Sequence, residues 1–456
     1  MRDKIAQQAS LMPAPINHKH ARELQRMSEV LDQLPGVTEL VHADLVRRAR
    51  KSNKGRKGMP AEQVLRALLI KQLNGWSYVQ LAFHLADSNC YRWFCRLGIG
   101  DTAPDNSTLQ KAIKRVRAET WETLNRKIVT FAIEQRIELG HKIRTDCTVV
   151  ESNIHHPTDS SLLFDGVRVM ARLMSVAQES FAIHFADHTR RAKRRALGIL
   201  NAKTHSGRVR LYRDLLKVTT KTVAQAERVA EQLDQIVVGD MMTLAKVQSL
   251  ASELRRNAEL TGRVVSQTER RVLRGESVPA TEKIVSIFES HTDIIVKDRR
   301  EVLYGHKICL TAGASGIVTD VVIEQGNPAD STLAVKMVKQ HCELFGKPPR
   351  QASFDGGFAS RSNLEDIKKL GVQDVAFAKK CHLQISDMVK SSWVYQRLRN
   401  FRAGIEGVIS FLKRGFDLTR CCWSGWASFK AYVSASVLAC NLVVVARHLL
   451  ARDARA

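Results

Sequence analysis

The chain is short of acids. Its 456 residues include 46 Asp and Glu against 71 Lys and Arg, a formal charge of +25 with an isoelectric point near 9.9. Such an imbalance calls for a polyanionic partner or a compensating acidic protein, and nucleic acid is the simplest of these. Cysteines are few and scattered. The nine form no CxxC pair and no Cys/His spacing suited to zinc, and neither Cys421-Cys422 nor Cys381-His382 has companions nearby. That pattern fits reduced thiols in a cytosolic protein. No apolar core follows the basic N-terminal start, so a secretory signal is not expected. Long hydrophobic runs are absent too, except Trp426 to Ala446. That stretch carries Lys430, serines and Asn441 and has no companion spans, so it reads as a buried helix covering a sheet and no membrane role is expected. What is present is 44% hydrophobic residues over a length that suits about two to four domains, which separates the chain from disordered, tail-like binders.

Residues 1–58 are polar and end in the basic, glycine-punctuated run Arg47 to Gly58, a solvated loop or an arm that tracks phosphates. From 59 to 135 the pattern is helical. Pro60 opens a helix with Val64, Leu65, Leu68, Leu69 and Leu73 on one stripe, closed by Asn74-Gly75. Ser77 caps a second, carrying Leu81, Phe83 and Leu85. Ser107 caps a third, with Leu109, Ile113 and Val116 inward and Lys111, Lys114, Arg115 and Arg117 outward. Short helices, tight turns and one basic face predict an all-α, helix-turn-helix-like DNA-binding domain, although a plain three-helix bundle has the same pattern.

Residues 160–285 form a second helical stretch. Leu215, Val218, Thr222, Ala226, Val229, Leu233 and Ile236 step by three and four, Gly239-Asp240 interrupts, and Leu244, Val247, Leu250 and Leu254 resume. This is the pattern of a helical hairpin or a dimerising coil. Ahead of it, Arg190 to Arg195 concentrates charge that suits DNA contact or a solvated face.

Residues 136–159 and 286–450 read as an α/β domain with a mixed sheet, split by that helical insertion at little entropic cost. Lys142 to Val150 is a strand with Asp146 among β-branched residues, where an unpaired carboxylate is costly. The runs 302–310 and 317–323 make a hairpin around Gly313 to Gly316. Helices from Ser331 to Phe345 and from Asn363 to Leu370 alternate with a short strand that starts at Gln351 and ends in a Gly-Gly turn and with a strand at 372–377. The first of these two strands ends at Asp355-Gly356-Gly357, whose glycines let something approach the backbone closely. Taken singly, Asp146 and Asp355 also look like turn or capping residues.

The segment Phe401 to Lys413 carries more. Arg402 and Glu406 are i,i+4 neighbours, Lys413 lies two turns further on the same face, and Ile405, Val408, Ile409 and Leu412 fill another face. A carboxylate there can hold a metal while the two cations take phosphate oxygens; an ordinary surface ion pair has the same spacing.

As a set, Thr145-Asp146, Phe354-Asp355-Gly356-Gly357-Phe358 and Arg402, Glu406 and Lys413 resemble the DDE transposases of bacterial insertion sequences. Asp417-Leu418-Thr419-Arg420 resembles the family's C-terminal end, and Leu73 to Tyr78 with Pro104 to Thr108 resembles its N-terminal domain. The position that holds tyrosine in many of these enzymes is Arg399 here, with Tyr395 one turn earlier.

The resemblance implies a ribonuclease H-like catalytic domain with Asp146, Asp355 and Glu406 as catalytic metal ligands for two Mg2+ ions, Mn2+ being able to substitute. Arg402 and Lys413, with Lys111, Lys114 and Arg115 of the N-terminal domain, become the expected DNA contacts. It implies double-stranded DNA as partner, both terminal inverted repeats and target, and a homodimer or higher oligomer on that DNA in a bacterial cytoplasm, at the nucleoid. Two ions in such a triad activate an oxygen nucleophile and stabilise the leaving 3′ oxygen of an in-line displacement. A nuclease that cuts without joining, or a domesticated DNA-binding protein, remains open beside this reading, as do Glu151, Asp159, Asp320 and Asp330 as further ligands.

Overall fold

Lys142–Ser152 (β1) alternates inward and outward side chains along most of its length, and the other strands assemble around it. The computed structural model describes residues 4, 16–47, 57–237, 239–297, 301–379 and 381–455. The basic run Arg47 to Gly58 therefore lies, at 48–56, outside the described residues. The described chain divides into two compact units, Met1–Glu151 with His306–Ala456, and Ser152–Gly305.

In the first unit the helices come first: Lys19–Gln33 (α1), Val37–Val46 (α2), Ala61–Asn74 (α3), Tyr78–Asp87 (α4), Asn89–Phe94 (α5), Asn106–Ile113 (α6) and Ala118–Glu134 (α7). Two features differ from expectation. The polar stretch before residue 58 carries α1, an amphipathic helix that buries Leu24, Met27 and Val30, and α2, a short apolar helix that buries Val37, Val41 and Leu45. And α6 is capped by Asp105, whose Oδ1 accepts from Thr108 N at 2.8 Å, instead of by Ser107. The cap expected at Ser77 is present as a reciprocal capping box with Gln80. Arg66 is buried in this module, answered by Asp32 at 2.6 Å, Glu62 at 3.0 Å and Ser28 at 2.9 Å, so its charge is compensated inside the fold.

The sheet of the first unit is mixed. Glu301–Ala312 (β3) pairs antiparallel with Val318–Ile323 (β4). On its other side β3 neighbours β1, β1 runs parallel to Gln351–Phe354 (β5), and β5 runs parallel to Asp374–Phe377 (β6). Helices Ala334–Phe345 (α12) and Arg361–Lys369 (α13) make the crossovers; Ile385–Met388 (α14) and Ser392–Gly415 (α15) follow, and the short Arg420–Cys421 (β7) pairs with β1.

The apolar stretch near the C-terminus forms Trp426–Asp453 (α16), long and apolar enough by composition to cross a membrane, with 78% of its most apolar window buried in the fold. It packs on α7, α1, α3 and β4. Its one buried amide is spent on the sheet: Asn441 Nδ2 donates to Val318 O at 2.7 Å and Oδ1 accepts from Val318 N at 2.9 Å. The N-terminal helices are thus not a separate body. They share one core with α16, because Leu68, Leu69, Trp121, Tyr432 and Leu438 are all nearly inaccessible to solvent.

The second unit holds Asp159–Phe181 (α8), Thr189–Asn201 (α9), His205–Asp234 (α10) and Met241–Thr268 (α11), followed by Asp293–Lys297 (β2). Leu163, Val167, Met170, Leu215, Ala226, Leu233 and Leu254 are buried among these helices, so the three-and-four stripes are used within the chain. Its bounds are wider than the expected 160–285. β2 pairs with residues 301–305, which makes a hairpin where no strand was expected at 293–297. Two of the Arg190 to Arg195 cations, Arg191 and Arg195, pair with Asp214, while Arg190, Lys193 and Arg194 are exposed.

Candidate active site

The alternation of β1 decides which residues reach the site. Ile143 and Thr145 are fully buried in the core, and Thr145 Oγ1 meets Thr311 Oγ1 at 2.9 Å. Arg144 and Asp146 therefore face the other way, toward α15. Along the β1–β5 pairing Thr145 stands opposite Phe354, so Asp146 and Asp355 are each the next residue past the last paired position. Directly after Asp355 the chain turns through Gly356–Phe358. A Cβ on Gly357 would lie 2.9 Å from Asp330 Oδ2, so what approaches the glycine is a carboxylate, itself held by Lys307 Nζ at 2.7 Å.

The third acid arrives on α15. Ile405 and Leu412 are fully buried and Val408 nearly so; truncating either of the first two to alanine costs about 2–5 kcal/mol. The tyrosine expected near the charged stripe has a structural task. Tyr395 is buried and its hydroxyl donates to Phe377 O at 2.9 Å, tying the helix to β6, while Arg399 is exposed. Closer to the acids, Arg144 lies 4.9 Å from the centre of the Phe401 ring and donates to Phe401 O at 3.3 Å.

Three acids from three elements meet at one guanidinium. Arg402 Nη1 is 3.0 Å from Asp355 Oδ1 and 3.4 Å from Asp146 Oδ2, and Nη2 is 2.8 Å from Glu406 Oε1. The Asp146 and Arg402 side chains are each 17% exposed, whereas Asp355 is 43% and Glu406 66% exposed, so the site is buried on the sheet side and open on the helix side. Burial, then the charge of Asp355, pushes the Asp146 carboxyl up to about 6, against the pull of the Cys147 N–H and Arg402; Asp330 adds to the rise. Among the described residues no group of three His, Cys, Asp or Glu side chains is poised to hold a metal. Arg402 stands between the acids instead.

The structure sorts the remaining expected residues. Lys413 is half-buried further along α15, and its carbonyl accepts from Thr419 Oγ1 at 3.3 Å. Lys111, Lys114 and Arg115 are exposed at the end of α6 and in the turn to α7. Of the four further acids, Asp330 adds to the field at Asp146. Asp159 is engaged by Arg271 through both oxygens at 3.0 Å within the second unit. Asp320, on β4, lines a separate small cavity with Glu122 and Gln340, and burial pushes it up to about 6. Glu151 pairs its backbone N–H with Thr419 O at 3.0 Å. Arg144 and Lys307 were not expected at the site; the one available signal is a cation on an otherwise apolar, strand-like run.

A family model described as Transposase domain (DUF772) matches residues 15–115, and one described as Transposase DDE domain matches residues 296–442. The second span contains Asp355, Arg402, Glu406 and Lys413, while Asp146 lies before it. No curated protein and no solved structure gives a significant match. The two models fall on different parts of one chain and describe the same kind of protein, and the chain belongs to the insertion-sequence DDE transposases, whose catalytic domain has the ribonuclease H-like fold.

Proposed function

We propose that the chain cleaves the ends of an insertion sequence and joins them to target DNA, with Asp146, Asp355 and Glu406 as the acids that hold the metal ions. The observation that carries this reading is the convergence of those three carboxylates, from β1, the end of β5 and α15, on a single cation. Enzymes of this family act on DNA and use divalent metal ions. The donor set suits such ions: three hard-oxygen carboxylates face one guanidinium, an excess of two negative charges, and burial with the charge of Asp355 already raises Asp146. Bound there, two Mg2+ or Mn2+ ions supply an activated oxygen nucleophile and stabilise the leaving 3′ oxygen.

The chain's own residues do the positioning. Parallel pairing of β1 and β5 sets the separation of Asp146 and Asp355 by the sheet and not by loops. Glu406, on the open side, adapts to the substrate. Arg402 turns to a phosphate oxygen once its carboxylates are otherwise compensated, and Lys413 takes a second. Lys111, Lys114 and Arg115 contact the backbone of double-stranded DNA, terminal repeat or target, outside the reacting site. The enzyme works as a homodimer or higher oligomer on DNA in the cytoplasm.

Asp146→Asn, Asp355→Asn and Glu406→Gln, assayed on DNA carrying the element's ends with Mg2+, are expected to lose nearly all cleavage while melting temperature and DNA binding hold. A variant that cleaves near the wild-type rate takes its residue out of the ligand set. Wild-type cutting without any joining reduces the enzyme to a nuclease.

A further inference from the structure

Lys307, on β3, is largely enclosed, with 13% of its side chain exposed. Its Nζ donates to Pro328 O and to Asp330 Oδ1, both at 2.7 Å, and so pins the turn Asp330–Thr332 that precedes α12. A second turn, Gly356–Phe358, follows Asp355 directly. Asn363, buried on α13, joins the two turns: its Nδ2 donates to Ser331 O at 2.7 Å and to Phe358 O at 2.8 Å. The other oxygen of Asp330, Oδ2, then stands where a Cβ on Gly357 would meet it at 2.9 Å. Asp330 is thus held against the backbone just past Asp355 by contacts from β3 and α13, and not by the acids themselves.

A carboxylate in that place is costly. It raises the Asp146 carboxyl in the same sense as Asp355 does, so the fold keeps a fourth negative charge near three others, with Arg402 and Lys307 as the paired cations. The structural task does not need the charge. An amide oxygen at this position also accepts from Lys307 Nζ, and Asn363 joins the turns through backbone carbonyls alone. A charge that opposes the ionisation of its neighbours, and that packing holds in place, becomes favourable when a cation arrives.

We infer that Asp330 is a positioning residue of the candidate active site: its charge, held beside Asp355 by Lys307, strengthens cation binding by Asp146, Asp355 and Glu406 without coordinating the ion. The inference rests on the reading of those three acids as metal ligands and adds to them a residue from the turn before α12.

The test titrates Mn2+ into the full chain by calorimetry without DNA, and follows cleavage of DNA carrying the element's ends against Mg2+ concentration. Asp330→Asn keeps the acceptor for Lys307 and removes the charge. It is expected to weaken Mn2+ binding about three- to tenfold at unchanged melting temperature, the scale of one nearby unit charge under strong screening. Cleavage should need correspondingly more Mg2+ and recover at saturation, a shift in metal requirement that a merely structural ion pair does not produce. Mn2+ affinity equal to wild type in Asp330→Asn overturns the inference. If Asp330→Asn lowers the melting temperature, Asp330→Glu, which keeps the charge, decides: affinity near wild type supports the role, and affinity as weak as that of Asp330→Asn overturns it. Asp355→Asn that binds Mn2+ like wild type defeats the reading of the three acids as ligands, whereas Mn2+ binding lost in Asp355→Asn and untouched in Asp330→Asn defeats only the role of Asp330.

Discussion

The Arg402 guanidinium donates to the Asp355 carboxylate at 3.0 Å across 47 residues of chain. From that ion pair the same group reaches Asp146 and Glu406, so one side chain compensates all three carboxylates. A cation in this position competes with any metal bound by these acids.

Arg402→Gln is therefore expected to move two measurements in opposite directions. Mn2+ affinity without DNA, read by calorimetry, should rise about fivefold, since a unit charge a few ångströms away is worth about 1 kcal/mol under strong screening. Cleavage should fall at least about tenfold, ~1.4 kcal/mol of transition-state stabilisation. Lys413→Ala should show only the fall in cleavage. If both variants cleave normally and only Arg402→Gln loses stability, by the about 0.3–0.5 kcal/mol of an exposed i,i+4 pair, the stripe is a surface ion pair and nothing more.

Gly404 leaves room on α15 for the guanidinium of Arg144, which reaches it from β1. A Cβ there would stand 1.9 Å from Arg144 Nη1, whereas a Cβ on Gly407 meets nothing within 4 Å. Gly404→Ala should cost about 1 kcal/mol or more through crowding and slow cleavage by displacing Arg402 and Glu406. Gly407→Ala should gain up to about 1 kcal/mol from helix propensity. Arg144→Leu in the Gly404→Ala background should restore the melting temperature; equal melting temperatures for the two alanine variants would remove the steric argument.

Acid sensitivity has an identifiable contributor in His341, on α12. Its Nε2 pairs with Gly140 O at 3.1 Å, its Nδ1 has no partner, and burial lowers its pKa from 6.5 to about 4. A base depressed in the folded state is protonated first in the unfolded chain, so its contribution is full above pH 6.5 and is lost as pH falls toward 4. The loss amounts to about 3 kcal/mol at most. His341→Asn should be less stable at pH 7.5 and show a shallower decline between pH 6.5 and 4 in denaturant titrations; parallel pH profiles would clear His341 of this role.

Lys111, Lys114 and Arg115 are exposed, so replacing all three with alanine should leave folding intact and weaken duplex binding. If they meet phosphates, the salt slope should fall by about 2–3. The experiment calls for the whole chain, because α16 shares its core with α3 and α7 and a fragment of the N-terminal helices would expose that face. An unchanged slope would show that this basic face does not touch DNA.

Signals carried within a few residues are legible in the amino-acid sequence itself. The Ser77 cap, the alternation of β1 and the spacing of Arg402 to Glu406 depend on neighbours no more than four positions away, and hydrophobic period alone finds most helices and the central strands. Where two residues can satisfy the same rule, as Asp105 and Ser107 can at the start of α6, geometry chooses. β2 escapes a reading by pattern because a five-residue strand is defined by its partner, here residues 301–305. The meeting of Asp146 with Arg402, 256 residues apart, has no local trace at all. It follows from parallel pairing of β1 with β5, from the burial of Ile405 and Leu412 that lays α15 on the sheet, and from a glycine at 404 that lets Arg144 in. Composition and spacing determined which side chains were available for the chemistry; packing between distant segments, which no nearest-neighbour pattern encodes, decided that three carboxylates would share one cation.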